Sequence, residues 1–222
     1  MGDSQCSKSQ GRSKSSIHRP KMFETEGRIQ SQSIIWAYRA WRELLRLRSM
    51  PSLSTKSYQA SLDLAGRALE LADEAARAEF PYERDYVRVH WLLGAAYCAS
   101  GQVDEAEHHL HEALERCRRI NSVDAEADIL IDLARQRVAL GAMNDAERFA
   151  NEALLITERS GYVMQGADAH LELAKFALIR NDKATALHHA TEARRLATCD
   201  GPPDYTYKAA YDEADALLKQ LT

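Results

Sequence analysis

Glycine and proline are scarce, 10 and 5 in 222 residues. That excludes collagen-like and low-complexity Pro/Gly chains and leaves few points where a helix must stop. The four cysteines, Cys6, Cys98, Cys117 and Cys199, form no CxxC pair, so neither a disulfide scaffold nor a zinc ribbon is expected. They read as free thiols of a reducing, cytoplasmic compartment. No apolar run is long enough for a membrane span or a signal-peptide core. The phosphate-binding GxxxxGK[ST] loop, HExxH and GxSxG are all missing. No Ser-His-Asp or Cys-His grouping can be nominated either, so the chain is read as a non-enzyme with no cofactor. A formal charge of −4 gives no global attraction to nucleic acid or an anionic membrane.

What is abundant is Ala, Leu, Glu and Arg, a helix-forming set. The charge is unevenly spread. Residues 1–33 carry six bases against three acids, and 34–50 carry four Arg against one Glu, so the remainder holds about ten net negative charges. Residues 1–32 are Ser, Gln, Lys and Arg with almost no apolar content, and are expected to be disordered. Their bases are dispersed without interleaved aromatics, which favours a solvated tail over a nucleic-acid contact. Helical periodicity begins at Ile34 and breaks at Met50-Pro51, with Ser54 or Thr55 able to cap a helix from about Lys56 to Glu79. That gives an irregular helical hairpin over 33–80.

From residue 81 the chain repeats every 40 residues. Leu93-Gly94, Leu133-Ala134 and Leu173-Ala174 are in step. So are Gly101, Gly141 and Asn181, then Ala106, Ala146 and Ala186, then Ala113, Ala153 and Ala193. The small residue after Leu lets two helices of a hairpin approach. Gly or Asn supplies a left-handed cap. Acids such as Asp104, Glu105 and Asp145 suit the start of the second helix. Three hairpins are expected over 81–200. Cys199-Asp200-Gly201-Pro202-Pro203 ends the last, and an amphipathic helix within 201–222, with Tyr207, Ala210, Tyr211 and Ala214 on its apolar face, caps the array.

The pattern Leu93-Gly94-x-x-Tyr97-x-x-x-Gly101-x-x-x-x-Ala106-x-x-x-Leu110-x-x-Ala113 resembles the tetratricopeptide repeat (TPR). The period is 40 rather than about 34, which lengthens both helices. The resemblance implies an all-α, right-handed solenoid of antiparallel helical hairpins whose first helices line a concave groove. Residues 161–218 resemble the TPR sensor region of bacterial STAND-type signal-transduction NTPases, without the NTPase itself.

By that register the groove positions are Arg88, Trp91, Ala95 and Cys98, then Asp128, Ile131, Arg135 and Val138, then Asp168, Leu171, Lys175 and Leu178. The candidate partner-binding residues are Arg88, Trp91, Asp128, Ile131, Arg135, Asp168, Leu171 and Lys175. Asp128, Asp132 and Arg135 recur as Asp168, Glu172 and Lys175, each trio on one helical face. Read as a site, they give an aromatic and aliphatic floor with charged walls, whose two cations would meet acids of a partner. Read as structure, Arg135 pairs with Asp132 or Asp168, and Lys175 with Glu172. His108, His109 and His111, echoed by His188 and His189, fit a surface preference repeated at the same register better than a metal centre.

The function expected is a non-catalytic adaptor or sensor binding a protein or peptide on its concave face. No small-molecule substrate, nucleic acid, membrane or metal is expected, and a homo-oligomer stays open. The alternative is a regulatory subunit of a separately encoded STAND-type NTPase.

Overall fold

The computed structural model describes residues 32, 34–37, 39, 58–78, 81–199 and 206–221. The basic tail up to residue 31, the break at Met50-Pro51 with its caps, and the stop at Asp200 to Pro203 lie outside them. Among the described residues all regular structure is helical. Eight helices follow one another: α1 (Gln59–Ala78), α2 (Glu83–Ser100), α3 (Val103–Arg119), α4 (Val123–Ala139), α5 (Met143–Ser160), α6 (Val163–Ile179), α7 (Lys183–Thr198) and α8 (Lys208–Leu221). None is long and apolar enough to cross a membrane.

The turns explain the even helix lengths. Gly101, Gly141 and Asn181 adopt positive φ of 80°, 73° and 61°, at the three positions read as left-handed caps. Asn121 and Gly161, at 55° and 72°, do the same between hairpins. The chain therefore reverses at a left-handed residue every 20 residues, twice per repeat. Gly and Asn are the residues that tolerate this region at least steric cost. Asp104 and Glu105 stand in the first turn of α3, and Asp145 in that of α5, where the helix dipole favours negative charge.

Two kinds of helix result. In α3 the buried positions are Ala106, Leu110, Ala113, Leu114 and Cys117, and in α5 Ala146, Phe149, Ala150, Ala153 and Thr157. Each is a single stripe at helical spacing, so each of these helices has one face in water. The first helices bury far more of their surface. In α4 the run Ala127, Ile129, Leu130, Ile131, Asp132, Leu133, Ala134 and Gln136 is buried. Backbones of α2, α4, α6 and α8 approach one another in that order, while those of α3, α5 and α7 do not. The array therefore curves with its first helices inside, as an all-α, TPR-like solenoid. The helical residues at 34–37 and α1 form the first layer, with Ala37, Leu62, Ala65 and Ala68 packed on Val89, Leu92 and Ala96 of α2.

Within each hairpin the two helices meet at one pair of positions. In the first, a Cβ on Gly94 would lie 2.6 Å from Leu110 Cγ and 3.0 Å from the Leu110 backbone nitrogen. The equivalent pairs are Ala134 with Ala150 and Ala174 with Ala190, all fully buried. Hairpin one thus reaches with Gly plus Leu what the others reach with Ala plus Ala.

Gly94→Ala should cost about 1–3 kcal/mol by overpacking. Leu110→Ala alone should cost about 2–5 kcal/mol through a cavity. The double variant recreates the pairing of the other hairpins, so urea denaturation should show it more stable than the sum of the two losses. Strict additivity would refute this contact.

Candidate functional site on the concave face

α2, α4, α6 and α8 together border a groove of about 520 Å³. Of the predicted residues, Trp91, Asp128, Ile131, Arg135, Asp168 and Lys175 line it. Arg88 lies one turn before Trp91, in an adjoining indentation that also includes Trp91 and Asp128, and its guanidinium is 3.6 Å from Asp85. Two residues expected as an open aliphatic floor are core instead. Ile131 and Leu171 are each 2% exposed. Leu171 packs beneath α8 against Ala210 and Ala214, because the last helix covers the end of the concave face. α8 also contributes Glu213 to the groove, and Tyr207, the residue just before it, lines the groove too. Tyr207 was legible only as part of an apolar stripe. Nothing in the helical period shows that its hydroxyl turns to Asp168, to which it donates at 3.1 Å.

The polar side chains form a continuous rail from the first hairpin to the last helix. Trp91 Nε1–H donates to Asp132 Oδ2 at 2.8 Å, and Arg135 Nη1 donates to Asp132 Oδ1 at 2.8 Å. Arg135 Nε reaches into the next hairpin and donates to Glu172 Oε1 at 2.8 Å. Lys175 Nζ donates to the same oxygen at 3.0 Å and pairs with Glu213 Oε1 at 2.7 Å. Asp132 and Glu172 are 5% and 4% exposed. Burial opposes ionisation of Glu172, but Arg135 and Lys175 outweigh it and hold the carboxyl below its ordinary range. Burial likewise opposes the charge on Arg135, and the Glu172 and Asp132 carboxylates outweigh it.

The two cations expected to await a partner's acids are therefore engaged within the chain. Arg135 takes Asp132, as one of the two readings held, and also Glu172 of the following hairpin. The arrangement is an ion-pair network with a fork-shaped guanidinium at its centre, the geometry for which Arg is suited and Lys is not.

A second polar feature lies between the helices of hairpins one and three. Nδ1 of His90 is 2.9 Å from Nδ1 of His109, and Nδ1 of His170 is 2.9 Å from Nδ1 of His189. In each pair one ring donates its proton to the other's bare nitrogen, which requires at least one neutral ring. His109 also stacks on Tyr97 with centroids 5.5 Å apart. The middle hairpin has Leu130 and Phe149 at these positions. The repeated histidines are thus not simply a surface preference: His109 and His189 face inward to partners on the first helix. Only His108 and His188 of the two doublets are exposed. Among the described residues no three His, Cys, Asp or Glu side chains are grouped to hold a metal. Among the described residues, Cys98, Cys117 and Cys199 form no disulfide.

Residues 85–159 match the family model described as "Tetratricopeptide repeat". Those residues carry tetratricopeptide repeats. Its backbone is similar to the crystal structure of BtubC (BKLC) from P. vanneervenii, with a TM-score of 0.56 and 17% sequence identity over 91% of this chain and 90% of that one. At that identity the likeness concerns the fold alone. No curated protein matches the sequence.

Two outcomes are expected. Arg135→Leu removes the cation shared by two buried carboxylates and should cost about 3–5 kcal/mol in denaturant unfolding. Arg135→Glu should do at least as much harm. Stability should also fall with acid. Burial, then the neighbouring ring, lowers His90 and His170 to about 4 in the folded chain, against about 6.5 unfolded. The unfolded chain therefore binds more protons between those values. The stability is fully present above pH 6.5 and is lost as pH falls toward 4, at roughly 1.4 kcal/mol per unit for each such histidine. Thermal melts of His90→Leu/His109→Phe, which copies the middle hairpin, should show a shallower decline than the parent chain over that range.

Proposed function

We propose that this TPR array is a non-catalytic adaptor or sensor that binds a segment of a partner protein along its concave face. The family's character as a protein-interaction module supports the reading. The single observation that carries it is the groove itself. Four elements from three hairpins and the last helix border one cavity of about 520 Å³, with a half-buried Trp91 beside a rail of charged groups. A groove of that size seats a few side chains of an extended or helical segment rather than a folded domain. Trp is the side chain most enriched in binding hot spots.

The resemblance of residues 161–218 to NTPase sensor regions supports a second reading, a regulatory subunit serving a separately encoded STAND-type NTPase. The binding surface would be the same and the partner would differ.

Affinity capture from the native host, followed by calorimetry on the recovered partner, tests both. Trp91→Ala should weaken binding by about 2 kcal/mol or more. Leu155→Ala, at an exposed position on α5, should leave it unchanged. The reverse pattern would place the interface on the outer helices.

A further inference from the structure

The two histidine pairs belong to a larger constellation that occurs twice. His90, His108, His109 and Glu112 of the first hairpin recur, two repeats on, as His170, His188, His189 and Glu192 of the third. Both copies have the same geometry. The paired rings have their Nδ1 atoms 2.9 Å apart and their centroids 5.1 Å apart. The exposed ring of each doublet stands beside its inward neighbour, at 5.2 Å in the first hairpin and 5.1 Å in the third. The middle hairpin has Leu130, Arg148, Phe149 and Glu152 at these positions. There the Arg148 guanidinium lies over the Phe149 ring at 4.3 Å, and no imidazole is present.

Each pair joins the two helices of its hairpin, α2 to α3 and α6 to α7. The contact depends on how many protons the pair holds. Two neutral rings share one Nδ1 proton, and one added proton still leaves a donor facing an acceptor. A second added proton puts N–H on both facing nitrogens and a positive charge on both rings. The hydrogen bond is then impossible, and two like charges oppose each other between a buried ring and a half-buried one.

The groups that face the first pair are Tyr86 and Tyr97 on α2 and Glu105, His108, Glu112 and Arg116 on α3. Asp73 of α1 and Glu83 reach it through Tyr86 and Arg116. Those facing the other pair are His188, Glu192 and Arg195 on α7, with Glu158 of α5 and Tyr162 in the same cleft. Glu112 and Glu192 favour a charged ring, but burial and then the partner ring outweigh them at His90 and His170. Burial, then the exposed ring of the doublet, acts in the same direction on His109 and His189. A proton is therefore costly while the hairpin is closed, and opening lets the rings take it from water.

We propose that the two histidine pairs are acid-sensitive latches, each holding its hairpin closed until both of its rings are charged, so that the first and third hairpins loosen in acid before the middle one. His90 precedes Trp91 and His170 precedes Leu171. The helices that loosen are thus α2 and α6, two of those that border the groove. The inference does not depend on what the groove binds.

The test follows amide hydrogen exchange of the full chain by mass spectrometry at about pH 7 and about pH 5, on either side of the ordinary histidine value. Rates are corrected for the intrinsic pH dependence of exchange. Protection around His109 in α3 and His189 in α7 should fall roughly tenfold or more relative to α5, since each histidine released favours opening by about tenfold per pH unit in this range. His90→Leu/His109→Phe/His170→Leu/His189→Phe copies the middle hairpin in both places and should abolish that difference. His108→Gln/His188→Gln, at exposed positions, should keep it. A uniform loss over all three hairpins of the parent chain would overturn the proposal, as would a selective loss that survives in the fourfold variant. A second measurement needs no substitution. In the isotopically labelled parent chain at about pH 7, a nitrogen–nitrogen coupling should run across each Nδ1–H···Nδ1 bond. Absence of that coupling would show that the rings do not share a proton and would overturn the latch.

Discussion

Arg135 is positioned where two hairpins meet, and its guanidinium is shared between Asp132 of its own helix and Glu172 of the next. Both carboxylates are almost fully buried. A buried charge is tolerated only when its partners are in place, and removing one partner costs more than the pair contributes. The first helices must therefore approach at a spacing that lets one guanidinium span them. That condition fixes the inner side of the curve. It also orients Trp91, whose indole N–H is held by the other oxygen of Asp132, and it brings Lys175 between Glu172 and Glu213 of the last helix. The groove, its aromatic and its charge all follow from one clamp.

The outer side is set by volume rather than charge. Alanines at Ala106, Ala113, Ala146, Ala153, Ala186 and Ala193 are completely buried, so the second helices lie close against the first. The same positions show how the repeats vary without changing the backbone. Gly94 with Leu110 replaces Ala with Ala. His90 with His109 replaces Leu130 with Phe149. Close-packed interiors permit such exchanges when the summed volume is kept. The histidine exchange keeps shape but substitutes a proton-dependent contact for an apolar one, and it does so only in hairpins one and three.

The fold was legible because its determinants are local and periodic. Gly101, Gly141 and Asn181 mark turns by backbone chemistry, and the alanine columns mark close packing. The intervening turns at Asn121 and Gly161 fall at the half-step between the 40-residue columns, where no repeated column marks them. The site was less legible. Register places Trp91, Asp128, Arg135, Asp168 and Lys175 on the first helices, and they do line the groove. It does not tell which neighbour each charge meets. Asp132 and Glu172 claim Arg135 through contacts 3 and 37 residues apart, and only the first is visible in helical spacing. Register puts Leu171 on an open floor, because an end cap would leave the concave face uncovered. The last helix instead lies over the concave face and adds Glu213 to the site, with Tyr207 just before it.

The central proposal is that the concave face, with its half-buried Trp91 indole, is the partner-binding surface. A nitrogen–proton correlation spectrum reports on it directly, since the chain has three tryptophans and only Trp91 lies on the groove among the described residues. During titration with a partner segment recovered from the native host, the Trp91 indole signal should shift progressively and saturate, while that of Trp36 stays in place. A stationary Trp91 signal under conditions where the partner segment is bound would contradict the account.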